Sequence, residues 1–114
     1  MSTRARAAVL AAIVLAALAS AAAADETYIT GAHLKAACEG AAPDYCRGYL
    51  RGVVDVHLGN SQKERYFCLP VDQGTDDELR AVFLGYIAAN PAKINEPASI
   101  VVWRALRATY PCKP

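Results

Sequence analysis

Apolar residues recur along this chain at helical spacing, and four helices follow from that pattern. The first spans about residues 30–39. Thr30 is placed to cap it, Leu34, Ala37 and Cys38 make an inward stripe, and Gly40 can end it. The second spans about 44–58. Asp44 is its expected cap, and Tyr45, Cys46, Tyr49, Leu50, Val53, Val56 and His57 share one broad face. Arg47, Arg51 and Asp55 fall on the other face, and Gly59-Asn60 stops the run. The third opens on Thr75 and Glu78, the T-x-x-E spacing of a capping box. Leu79, Val82, Phe83, Tyr86 and Ile87 follow as its core stripe, and Asn90-Pro91 ends it. The fourth begins near Asn95 or Glu96 and reaches Tyr110, with Pro97 suited to its first turn and Pro111 as the stop. No segment alternates with the period of a strand. The fold class expected is all-α: a small four-helix domain.

The fourth helix is apolar on two sides. Ala98, Val101, Val102, Ala105, Leu106 and Thr109 form one stripe. Ile100, Trp103 and Tyr110 lie roughly opposite, joined by the aliphatic stem of Arg107. Such a helix is either central in its own domain or buried in an interface, so Ile100, Trp103, Arg107 and Tyr110 are a candidate dimer or packing surface. Gly48 and Gly52, one turn apart on the second helix, weaken it relative to alanine. Close packing within the molecule is the expected reason for them, ahead of a dimer contact.

Residues 1–24 change the picture. Arg4 and Arg6 precede an apolar, alanine-rich run that closes on Ala22-Ala23-Ala24, the plan of a cleaved secretory signal peptide. Cleavage after Ala24 leaves residues 25–114 as one 90-residue domain. Without Arg4 and Arg6, 10 of the 12 basic residues remain against 11 acidic ones, a net charge of −1. With no basic stripe, nucleic acid is not an expected partner. Once the signal is removed, neither is a membrane.

All four cysteines lie in the exported part, where an even count reads as a disulfide framework. Cys38 ends the first helix and Cys46 begins the second, the geometry of a helical hairpin closed at its turn. Cys68 lies in the long 59–74 connection and Cys112 follows Pro111, so pairing them would fasten that connection to the C-terminus. The expected bridges are Cys38–Cys46 and Cys68–Cys112. They would staple a domain whose core is marginal for its size.

Catalytic chemistry does not assemble. There are two histidines, His33 and His57, and the second lies on an apolar face as a satisfied core residue would. No nucleophile elbow, C-x-x-C pair or zinc-ligand spacing occurs. Asp76, Asp77 and Glu78 sit where a helix start favours negative charge. The chain is therefore expected to bind rather than catalyse, with no metal and no cofactor.

An ordered set of short segments, specific in combination, is led by one around Cys46. Cys46-Arg47-Gly48-Tyr49-Leu50-Arg51-Gly52-Val53-Val54-Asp55 resembles the C-x-G-Y-[IL]-x-G-[VI]-x-D core of the Rap/Tai-type periplasmic immunity proteins. Leu34 and Cys38 stand before it. Cys68-Leu69-Pro70, Leu79, Tyr86, Pro91, Ala105-Leu106 and Tyr110-Pro111-Cys112 follow in order. The resemblance implies a periplasmic, all-α protein, often a homodimer, that blocks the cleft of a type VI secretion amidase effector acting on peptidoglycan. The alternative is a small disulfide-stapled periplasmic stress chaperone or assembly factor. Two polar segments are candidates for the effector contact. One carries Lys63, Glu64, Arg65 and Tyr66 beside Cys68. The other, the 91–96 turn, carries Lys93, Ile94 and Asn95 between two prolines.

Overall fold

The structure is a computed structural model that describes residues 28–59, 65–70 and 74–114. The expected signal peptide, Lys63, Glu64 and half of the long 59–74 connection lie outside the described residues. Four helices and no strand are present among the described residues: α1 (Gly31–Ala36), α2 (Pro43–Leu58), α3 (Asp76–Ala89) and α4 (Ala98–Thr109). A short 3-10 turn, Pro91–Lys93, joins α3 to α4.

Local chemistry sets most of the boundaries. The Thr30 hydroxyl accepts from the His33 N–H and caps α1. That helix widens into a π-type turn, Ala37–Ala41, and ends where Gly40 takes a φ of 122°, a conformation only glycine adopts without strain. The Thr75–Glu78 capping box forms in full at the start of α3. Two starts differ from expectation. α2 begins at Pro43, whose missing N–H costs nothing there, and Asp44 instead sits in the first turn, paired with Arg47 at 2.7 Å. α4 begins at Ala98, because the preceding residues turn back to hydrogen-bond α1.

The core runs through all four helices. Leu34 (α1), Leu50 and Val54 (α2), Leu79, Phe83 and Ile87 (α3) and Val101, Val102 and Leu106 (α4) are buried, joined by Phe67 from the connection. The α4 stripe is as expected, except that Thr109 is exposed. The inward face of α2 is not. Val54 is buried, whereas Tyr45 and Val56 are 40% and 66% exposed. The apolar positions of α2 span more than half its circumference, so the neighbouring helices decide which part turns inward.

Both bridges are Cys38–Cys46 and Cys68–Cys112, and no cysteine is free. The first closes the α1–α2 hairpin and is fully buried. The second holds residues 65–70 against the end of α4, assisted by the Cys68 N–H donating to the Tyr110 carbonyl at 2.8 Å.

Candidate functional site

Two surfaces stand out. The larger is an apolar groove of about 520 Å³ between α2 and α4. Gly48, Tyr49, Gly52, Val53 and Val56 form one side, and Ser99, Ile100 and Trp103 the other. A methyl group added to Gly48 or Gly52 would meet no atom within 4 Å. The expectation of close intramolecular packing at these glycines is therefore corrected: they face outward and form the groove floor. Burial raises the Tyr49 phenol above its ordinary value, partly opposed by a hydrogen bond with Ser99.

Aromatic rings extend the groove at both ends. His33 lies edge-on to Tyr45 at 6.0 Å between centroids, and Tyr45 lies 6.1 Å from Tyr49. At the other end Tyr66 stacks on Trp103 at 5.6 Å, and the Arg107 guanidinium sits 4.9 Å above the Tyr66 ring. Behind them, His57 stacks on Phe67 at 3.9 Å and its Nε2 lies 3.1 Å from the Phe67 carbonyl. His57 is thus the satisfied core residue its helix position implied. Exposed Tyr and Arg beside a half-buried Trp are the residue types enriched at binding hot spots. Of the four α4 residues singled out in the sequence, Ile100 and Trp103 line the groove and Arg107 borders it. Tyr110 instead packs against the core.

The second surface is the 91–96 turn, which is held from several directions. The Ile94 carbonyl accepts from Ala32 N–H at 2.7 Å, and the Glu96 carbonyl accepts from Gly31 N–H at 2.9 Å. The Ile29 carbonyl accepts from Ala98 N–H at 2.7 Å. The Glu96 side chain binds Lys93 at 3.1 Å and also pairs with Arg104. The hydrogen bond from Lys93 holds the Glu96 carboxyl below its ordinary value, against some desolvation, with Arg104 adding to the effect. Ile94 is half-buried against the core, while Pro91, Ala92 and Asn95 are exposed. Of the other candidate segment, Arg65 is half-buried and Tyr66 exposed. The structure does not bring the two segments into one site: Tyr66 belongs to the groove, Lys93 and Asn95 to the turn.

The charged hollow at the start of α3 is internally satisfied. Arg51 bonds Asp76 at 2.6 Å and the Gly74 carbonyl at 2.9 Å, and Arg80 bonds the Cys38 carbonyl at 2.6 Å. Glu78 is engaged by the cap. No group of His, Cys, Asp and Glu among the described residues could hold a metal ion. Sequence reasoning missed the groove as a site. Its only signal was the glycine pair beside Val56, which periodicity had assigned to the interior.

Residues 30–112 match the family of Rap1a immunity proteins. The chain belongs to that family. No curated protein and no solved structure matches it. Membership makes binding of an effector protein the function class, in a family that is generally non-enzymatic. Two disulfides together with this family mark an extracytoplasmic protein. Among the described residues no helix is long and apolar enough to cross a membrane.

Proposed function

We propose that this chain is a periplasmic immunity protein that binds a type VI secretion amidase effector and blocks its peptidoglycan-cleaving cleft. The observation that carries the reading is the family match over residues 30–112. The 91–96 turn is the inhibitory element: a segment entering a cleft must already be ordered, because ordering it on binding costs affinity. The hydrogen bonds to α1 and the Glu96 ion pairs supply that order. The groove serves a different contact, a homodimer in which Gly48 and Gly52 of one protomer receive the exposed Val56 and Ile100 of the other. The aromatic borders favour this use, since one surface then carries both knobs and holes, as a two-fold interface requires.

The test is inhibition of a cognate type VI secretion amidase by Lys93→Glu and Asn95→Arg variants whose helical circular dichroism is unchanged. Each is expected to weaken inhibition about tenfold or more, the scale of a contact worth about 1.4 kcal/mol at a binding centre. Full inhibition by both variants removes the turn from the contact. Failure of the unmodified protein to bind the amidase overturns the function itself.

A further inference from the structure

The two bridges differ in how a solvent thiol meets them. Cys38 and Cys46 are each 1% exposed, at the back of the hollow that Arg47, Asp76 and Arg80 line, with Arg80 bonded to the Cys38 carbonyl. Cys68 is exposed and Cys112 half-exposed, with the Cys112 sulfur 3.8 Å from the Arg65 carbonyl. Thiol–disulfide exchange needs access to a sulfur, so exposure ranks their reactivity. The segment fastened by the exposed bridge has few backbone ties otherwise. Among the described residues 65–70, one backbone hydrogen bond to another part of the chain is made, from Cys68 N–H to Tyr110. The remaining ties are made through side chains: Phe67 is buried in the core, stacked on His57 with its backbone hydrogen-bonded to the His57 ring, Leu69 packs against the core, and Tyr66 lies against Trp103 and Arg107. Trp103 is also a wall of the groove.

We propose that Cys68–Cys112 is a redox latch on the groove, opened selectively by a dithiol. A thiolate of the dithiol attacks the sulfur of Cys68, the more exposed residue of the pair, and the bond to Cys112 breaks. Cys112 leaves as a thiolate and takes a proton. The second thiol of the reductant then displaces Cys68 from the mixed disulfide, leaving the reductant as its own disulfide. Two electrons thereby pass to the protein and two cysteine thiols result. Opening lets the exposed Tyr66 leave the Trp103 face, while Phe67 stays in the core against His57. The groove then ends in an exposed indole instead of a stacked Tyr66–Arg107 border, and the surface available to a partner changes.

The experiment is a dithiothreitol titration of the purified oxidised protein. Free thiols are trapped by alkylation and located by peptide mass, and fluorescence is read from Trp103, the single tryptophan of the chain. Cys68 and Cys112 are expected to label at least about tenfold faster than Cys38 and Cys46, reflecting access to sulfur. Over the same reductant range Trp103 emission should shift to longer wavelength and become more quenchable by acrylamide, with helical circular dichroism retained. The Cys68→Ser/Cys112→Ser double variant should show the shifted emission without reductant. Labelling of all four cysteines at one rate, or of Cys38 and Cys46 first, overturns the proposal, as does unchanged Trp103 emission once Cys68 and Cys112 are free. The readouts involve no amidase, so they stand or fall apart from the immunity reading.

Discussion

Gly31 and the glycines of α2 make opposite predictions from the same substitution. Gly31 opens α1 and is buried. An alanine methyl there would lie 3.0 Å from the Ile94 carbonyl oxygen and 3.1 Å from Ile87 Cδ1. The Ile87 methyl can yield, since it ends a flexible side chain. The Ile94 carbonyl cannot move freely, because it accepts the 2.7 Å bond from Ala32 that anchors the 91–96 turn. Overpacking of this kind costs about 1–3 kcal/mol. Restricting the unfolded chain returns about 0.4–1 kcal/mol. Gly31→Ala should therefore destabilise by about 1–2 kcal/mol, which in a domain of this size lowers Tm by roughly 4–8 °C per kcal/mol. Gly48→Ala and Gly52→Ala meet open space, so each should stabilise the isolated protomer by up to about 1 kcal/mol through helix propensity. The assay is thermal and urea unfolding of the three variants at low protein concentration, with sedimentation at high concentration. The α2 variants should associate more weakly as they become more stable, because the methyl fills the groove floor. A Tm for Gly31→Ala at or above that of the parent would refute the steric argument. Undiminished self-association of Gly48→Ala and Gly52→Ala would refute the use of the groove.

Removing the bridges should rank by loop length: about 4 kcal/mol for Cys68–Cys112, separated by 44 residues, and about 2.6 kcal/mol for Cys38–Cys46, separated by 8, in the chain-entropy account. Urea unfolding of the paired serine variants checks this, and a larger loss from the short bridge contradicts it. Acid should destabilise the fold through Glu78, whose carboxyl is held below its ordinary 4.5 by the backbone N–H of Thr75 and then that of Gly74. A folded value below the unfolded one means the contribution is present above 4.5 and is lost as pH falls through the lower folded value. Thermal melts on acidification should show the loss confined to that window and blunted in Glu78→Gln; an equal acid loss in both proteins removes the cap from the account.

What could be read in advance was what neighbours along the chain decide. Thr30 and Thr75 cap their helices through residues three positions away, and Gly40 and Pro111 act where they stand. The bridges were legible because helix ends bring Cys38 to Cys46, and because a cysteine in a long connection has few places to be fastened. The rest depended on the direction of packing. Val54 and Val56 carry the same side chain about 200° apart around one turn of α2, and the approach of α3 and α4 selects which is buried. The 91–96 turn was legible as a proline-bounded loop. That it is pinned through Gly31, Ala32 and Arg104, all distant in sequence or on another helix, was not.

The groove raises an energetic point that the protomer alone does not resolve. Two glycines in the middle of a 16-residue helix weaken it by up to about 2 kcal/mol relative to alanines, a sizeable share of the stability of a small domain. Neither permits a close approach within the protomer, and neither adopts a backbone conformation that needs glycine. Beside them Val56 and Ile100 leave apolar surface in water. Each feature by itself only lowers stability. Together they form one surface in which small residues leave room for another chain's backbone and large ones supply the side chains that fill such room. In the proposed homodimer the cost within the protomer is recovered as that surface is covered, which would link oligomeric state and stability through α2.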